Sequence, residues 1–361
     1  MNPSLKFAAA GRSNFLFTLK QRVDNYFSGK QISRHANPFM ILKTVVFLSF
    51  TILLYGLLIS SVLPLYLMLP AAMLIGISMA FIGFNICHDA LHGSYSSNKK
   101  VNRLLGFIFN IIGANTYVWN ITHNIVHHSY TNIVDHDEDI EIAPGLIRIN
   151  DTEPIKKMHR YQHIYAFFLY CLTTLSWFFR KDYLKFFKNN IGSSHVNKHP
   201  RREYINLFLY KAIYYGLFIV LPLLLMDISW WQFIIGFLAM NFAEGLVLGL
   251  VFQVAHVVEN TDMPQAAESG RMENSWAEHQ LHTTANFAPR SRLASFFCGG
   301  LNLQIEHHLF PKVCHVHYRH LSAIVQATAL EFNLPYHVNK TFAVAIRSHY
   351  QFLKKAGRPG L

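Results

Sequence analysis

Four long apolar runs constrain this chain more than any other feature. Residues 41–63 (ILKTVVFLSFTILLYGLLISSVL), 65–87 (LYLMLPAAMLIGISMAFIGFNIC), 207–226 (LFLYKAIYYGLFIVLPLLLM) and 232–255 (QFIIGFLAMNFAEGLVLGLVFQVA) are each long enough to cross a bilayer as a helix. In a membrane the backbone must satisfy its own hydrogen bonds, so the expected class is all-α. The first and second runs meet near Pro64, the third and fourth at Asp227–Trp231. Connections this short predict two transmembrane hairpins. Charged residues are only 14% of the chain, well below the usual quarter for a soluble domain.

A fifth apolar stretch, 164–179 (IYAFFLYCLTTLSWFF), is short and carries Tyr and Thr. Two histidine-rich segments follow the second span and a third follows the fourth. They share one side of the membrane only if an even number of crossings separates them. Spans three and four supply that number, so 164–179 is expected to lie along the interface or re-enter.

Orientation follows from charge. Lys and Arg number 32 against 20 acids, a formal +12. Neither hairpin connection holds a Lys or Arg, whereas the N-terminal segment (Lys6, Arg12, Lys20, Arg22, Lys30, Arg34, Lys43) and 180–202 are rich in them. The positive-inside bias puts both termini and every histidine cluster in the cytosol. The cations flank spans rather than forming an aromatic-interleaved patch, which fits anionic lipid heads and argues against nucleic acid. The first 40 residues lack the apolar core of a cleavable signal, so span one is expected to act as an uncleaved anchor. Cys87, Cys171, Cys298 and Cys314 form no C-x-x-C pair, consistent with a reducing compartment. The chain reads as one domain, 1–361, with a cytosolic helical cap built from 88–206 and 257–361.

The chemistry is carried by histidine, 21 residues of it. His88 and His92, and His123 and His127, are spaced i, i+4 and project from one helix face. His128 follows directly. Gln304, His307 and His308 share a face at i, i+3, i+4. His256 closes the fourth span, where an ionisable group is a functional candidate. Eight imidazoles are too many for one metal, since a zinc site takes about four ligands. Two metals at about four ligands each fit the count. Imidazole suits Zn, Cu, Fe and Ni, so ligand type alone does not choose.

The pattern H-x-x-x-H, H-x-x-x-H-H, Q-x-x-H-H resembles the membrane fatty acid desaturases over almost the whole chain. The glutamine of the third box resembles the front-end members, which insert a double bond between an existing one and the carboxyl end. GFNICHDALHGSYSSN (83–98), HHSYTNIVDHDEDIE (127–141), WAEHQLHTTANFA (276–288) and CGGLNLQIEHHLFPKVCHVHY (298–318) look like the bacterial and cyanobacterial delta-6 (linoleoyl) type. The resemblance implies two non-haem irons, O2 as co-substrate, a cis double bond as product, and a bacterial inner or plasma membrane. It implies His88, His92, His123, His127, His128, His256, His307 and His308 as catalytic iron ligands. Gln304 stands where stearoyl-type members have histidine; it binds iron by its amide oxygen, binds through water, or orients a ligand. In some relatives an asparagine one turn before the fourth-span histidine holds an iron-bound water. Phe252 occupies that place here.

A ligating imidazole usually donates its other N–H to a carboxylate or carbonyl. Asp89, Asp135, Asp137, Asp139, Glu141 and Glu306 lie in or just after the boxes, and His136 beside them. His279, His282, His315, His317 and His320 are expected near the site rather than on the metals. His35, His159, His163, His195, His199, His337 and His349 read as ordinary. Tyr117, Val118, Trp119 and Asn120 are candidate walls of an apolar acyl tunnel. Asn241 and Glu244 lie inside span four, where an acid is a functional flag.

A related di-iron hydroxylase acting on a fatty-acyl or other lipid is the main rival, because the same site can return oxygen to the substrate. A membrane haem or metal carrier would place its histidines within spans, not at their ends. Turnover needs two external electrons. The only His-Pro is His199–Pro200, followed by Arg201–Arg202, so the H-P-G-G haem motif of a fused cytochrome b5 is missing. A separate ferredoxin or cytochrome b5 is expected to dock on the cap. The substrate is expected to be an acyl-lipid or acyl-CoA in the bilayer.

Overall fold

The computed structural model describes residues 5–8, 14–192, 194–195 and 198–358. Arg12 lies outside them, as does the side chain of His195. Among the described residues, four helices are long and apolar enough to cross a membrane: Pro38–Ile59, Leu65–His92, Arg201–Leu225 and Trp230–His256. They coincide with the four apolar runs, but three start earlier in the sequence and the second runs on through His92. Box one is therefore the last turn of span two rather than the start of a separate cap. The stretch 164–179 forms no long helix; it breaks into Gln162–Cys171, Thr173–Ser176 and a wide turn at Trp177–Lys181. The sequence reading missed a different feature. Lys99–Ile111 and Thr116–Tyr130 are apolar enough together to span but bend by 112°, giving either a broken fifth crossing or a re-entrant loop.

Local chemistry explains the ends. Span one begins at Pro38 after Asn37, whose side chain accepts from Met40 N; proline at the first helical position costs no hydrogen bond there. Ser229 and Gln232 close a reciprocal capping box at the start of span four. Spans two and four approach so closely that a Cβ on Gly76 would sit 2.0 Å from Met240 O, so only glycine fits. Ile75, Met79, Ile82 and Met240 pack along this contact together with Tyr214 from span three.

Two wide π-turns interrupt the helices that carry the boxes, at Gly83–Cys87 and at Asn120–His127. Such turns leave backbone groups that side chains must answer and often mark functional sites. Asn85 answers at the first, donating to Phe81 O and to Phe297 O at 2.8 and 2.9 Å.

Phe15–Lys30 packs on Tyr318–Glu331 through Phe15, Leu19, Leu321 and Val325. The last long helix, Phe342–Ala356, ties the end of span four in place. His349 Nδ1 donates to Val257 O at 2.6 Å, and its Nε2 accepts from Tyr170 at 2.7 Å. His349 is thus a structural strut that sequence alone read as ordinary.

Burial pushes His349 down to about 4. Its folded value lies below its unfolded one, so the unfolded chain binds the extra proton between them. The contribution is complete above about pH 6.5 and is lost as pH falls toward 4, roughly 3 kcal/mol in all. Unfolding midpoints in detergent are expected to fall over this window. In His349→Gln, which keeps an N–H for Val257 O, the slope is expected to shrink by one proton. An unchanged slope would remove His349 from the account.

Candidate metal centre

The eight histidines named from sequence converge. One ring nitrogen each from His88, His92, His123 and His307 lies within 4.8 Å of the others; a second group joins His127, His256 and His308 on the same criterion. His128 groups with both His307 and His308 and so stands between the two sets. All are buried except His92, which is partly so. Ring centroids along the seam are 4.5 Å (His88–His307), 4.7 Å (His92–His128), 4.6 Å (His127–His256) and 4.5 Å (His128–His308).

Each of these eight rings leaves a buried nitrogen without a partner. An unanswered buried polar atom costs about 1–3 kcal/mol. A cage that assembles eight of them facing one another makes sense if cations answer them. Burial also holds His307 and His308 well below the usual imidazole range, in the neutral form that a metal requires.

On four of the rings the opposite nitrogen has a partner. His123 Nδ1 donates to Asp139 at 2.9 Å and His127 Nδ1 to Asp137 at 2.8 Å. His308 Nδ1 donates to Gln280 Oε1 at 2.8 Å, and His307 Nδ1 meets the Tyr318 hydroxyl at 3.2 Å. The carboxylate and amide oxygens settle the tautomers of His123, His127 and His308, leaving Nε2 free to bind a metal. Asp137 is itself locked, accepting from Asn132 N at 2.9 Å and Asp139 N at 3.1 Å.

Of the six acids named from sequence, only Asp137 and Asp139 bond box histidines. Asp89 turns away to His315 Nδ1 at 2.8 Å and Cys314 Sγ at 3.0 Å. Glu306 turns to Tyr336 and Asn286. Asp135 sits in a turn at φ 64°, and Glu141, pushed up to about 7 by burial, touches no box histidine. The i, i+1 geometry explains Asp89 and Glu306: a helix neighbour of a ligand faces another way. His279 binds Thr131 O at 2.8 Å, His282 pairs with Asp262, and His136 packs near Tyr130.

Gln304 Nε2 donates to His256 Nε2 at 2.9 Å, while Gln304 Oε1 is buried and unpartnered. Phe252 packs against His127 and His256 with tilted rings, centroids 5.2 and 5.1 Å apart. Gln280, Thr131, Asn132 and Tyr318 were not foreseen as supports. Asn132 donates to His256 O, Asp262 O and Thr283 O, pinning the span-four histidine to the neighbouring segments. Gln280 lay in the WAEHQLHTTANFA string, which was the available signal.

A cavity of mostly apolar lining, with Glu138, Asp139, Lys181, Asp182 and Lys185 also on its walls, reaches this cage. Phe84, Phe109, Trp177, Leu248 and Val251 line it, with His88, His123 and Gln304 at its inner wall. Val118 and Trp119 belong to the wall as expected. Tyr117 does not, since it bonds His199, and Asn120 is exposed and bonds Asn124. Asn241 donates to Phe237 O and accepts from Tyr214, a role within the bundle. Glu244 is buried in span four with Oε2 unpartnered, away from the cage residues.

Apolar spanning helices mark an integral membrane protein, and its buried imidazole cage could hold metal. A sequence profile described as fatty acid desaturase matches residues 64–340. The chain is similar to an acyl-lipid (8-3)-desaturase of Physcomitrium patens, 37% identical over 98% of this chain and 74% of the relative. It is similar to sn-1 linoleoyl-lipid 6-desaturases of Synechocystis sp. (35%, covering 96% of each chain) and of Arthrospira platensis (32%, covering 93% and 91%). The protein belongs to the fatty acid desaturase family, and it is an oxidoreductase of lipid metabolism that desaturates acyl chains.

Proposed function

We propose that this protein is a front-end, delta-6-like acyl-lipid desaturase with two irons in the histidine cage. The carrying observation is the mostly apolar cavity whose lining includes His88, His123 and Gln304. The relatives named linoleoyl-lipid 6-desaturases over nearly the full length support the regiochemistry and an acyl-lipid rather than a soluble substrate.

His88, His92, His123 and His307 would hold one iron, His127, His256 and His308 the other, with His128 between. Bound there, the irons would supply activation of O2 and removal of two hydrogens from an unactivated chain. The protein's own part is placement and exclusion. Trp119, Phe109 and Trp177 hold the methylene chain against the inner wall; near-attack placement is roughly 3–3.5 Å. Phe252 fills the space where a polar group would draw in water. Gln304 holds His256 through its amide nitrogen, and its buried oxygen has no protein partner. The four spans form two hairpins under a cytosolic cap, a reading supported by the uncharged connections and the basic flanks.

The test is a host that makes no polyunsaturated acid beyond added linoleate. Cells expressing the chain are expected to accumulate an acid with one new cis double bond on the carboxyl side of those present, located by mass spectrometry of derivatised lipids. A hydroxylated product without new unsaturation would favour the hydroxylase. A new bond only on the methyl side would keep the desaturase and remove the front-end assignment.

A further inference from the structure

The cavity beside the cage is lined by two kinds of residue. Phe84, Val251 and Leu301 belong to one buried apolar cluster between spans two and four. Glu138, Asp139, Lys181, Asp182 and Lys185 bring charge to the same cavity. The charged part is the more open one: the side chains of Glu138 and Asp139 are 30% and 22% exposed. The change of polarity runs along one segment. Thr173, Trp177, Lys181 and Lys185 recur every four residues, and all four line the cavity.

Four of the five charged groups are already committed. Asp139 accepts from His123 Nδ1 at 2.9 Å. Asp182 accepts from Lys211 Nζ at 2.7 Å and Trp177 Nε1 at 2.9 Å. Lys181 donates to Glu141 O and Ile142 O at 2.9 and 2.8 Å. Glu138 accepts from Lys188 Nζ at 3.4 Å and from Gly192 N at 3.3 Å. Lys185 differs. Among the described residues its Nζ makes no hydrogen bond or ion pair, and it lies within electrostatic reach of Asp139. An ammonium offers three N–H donors and no acceptor. On a wall that otherwise meets hydrocarbon, those donors call for an oxygen at the polar end of the chain. An acyl-lipid has one there, the ester carbonyl.

We propose that Lys185 holds the ester carbonyl oxygen of the acyl-lipid, with the methyl end of the chain between spans two and four. The proposal rests on the desaturase reading. Asp139 joins the two ends of the argument, because it shares the cavity wall with Lys185 and holds the cage histidine His123. The ester is therefore fixed on the side of the cage where box two folds back. The new bond is counted from that fixed oxygen, and the free methyl end absorbs differences in chain length. Lys185 determines position and moves neither proton nor electron.

The experiment uses the full chain in nanodiscs, loaded with iron and driven by dithionite. Two dilinoleoyl lipids share the ester but differ in headgroup, phosphatidylglycerol and an uncharged galactolipid. In Lys185→Met the KM for both is expected to rise about tenfold, the loss of one charge-assisted hydrogen bond. The product should also spread over neighbouring double-bond positions, and Lys185→Arg should restore a single one. Iron content and the unfolding midpoint should match the parent. An unchanged KM with a single bond position in Lys185→Met overturns the anchor. A rise in KM for phosphatidylglycerol alone gives Lys185 to a phosphate and overturns the ester contact.

Orientation is read without turnover. A lipid with a diazirine beside the ester is expected to crosslink to 181–185 in the parent. One with the diazirine at the methyl end should crosslink near Phe84 and Val251. Reversed labelling overturns the proposal. Labelling as expected with no double bond formed from either lipid sinks the desaturase reading and leaves the anchor standing.

Discussion

Replacing His88 by alanine is expected to abolish double-bond formation and to lower bound iron from about two per chain to about one, given roughly four imidazoles per metal. His88 is one of four nitrogens converging within 4.8 Å, so three ligands remain for that metal while the second group is intact. His308→Ala is expected to do the same from the other side. Removing His128, which groups with His307 and His308, should disturb both metals. Asp137→Asn is a graded test. It leaves every ligand in place but weakens the acceptor that His127 Nδ1 uses at 2.8 Å, and a loss of about 10–100-fold in metal affinity is expected. His199→Gln, at a histidine that bonds Phe186 O and Tyr117 instead, should leave the iron content alone. Metal analysis of purified protein decides all five; full iron in His88→Ala would break up the first group.

Lys211→Met is expected to cost about 3–5 kcal/mol of stability, the price of leaving one partner of a buried pair alone. Lys211 sits in span three, 2% exposed, with Nζ on Asp182 at 2.7 Å and on Gly113 O at 2.6 Å. Asp182, 1% exposed, also accepts from Asn115 N and Trp177 Nε1 at 2.9 Å each. One carboxylate thus joins span three, the bend at 112–115 and a wall of the cavity beside the cage. Gly113 takes part only because it sits at φ 111°, with Phe178 packed where a Cβ would stand. The control is Arg202→Met. Its ion pair with Glu203 is as short, 2.8 Å, but Arg202 is 81% exposed, so less than about 1 kcal/mol is expected. Thermal unfolding in detergent reads both; equal midpoints would mean that water reaches the Lys211 pair.

The spans were legible because hydropathy needs only the order of residues, and the box histidines because their spacing repeats with the helix. The partners of those histidines were less legible. Asp137 and Asp139 follow box two by a turn of chain and fold back onto it, so nearness in sequence pointed correctly. For Asp89 and Glu306 the same nearness misled, because side chains adjacent on a helix diverge. Gln280 and Tyr318 reach the cage across distances that no local pattern encodes. The bend between Lys99–Ile111 and Thr116–Tyr130 was hidden for another reason. Hydropathy does not register direction, and the bend is set by Gly113, Asn115 and a carboxylate 67 residues away.

The wide turns at Gly83–Cys87 and Asn120–His127 carry a consequence for how such a chain can change over time. A π-turn is in effect an α-helix with one residue too many, and each following residue is rotated by about 100° relative to the uninterrupted helix. Losing a residue from 120–127 would swing the histidines beyond it off the cage, and gaining one would swing them further still. Side chains in these two segments can be exchanged, but their length is fixed. Descendants of this chain are therefore free to vary around the cage by substitution while insertions and deletions are confined to segments elsewhere.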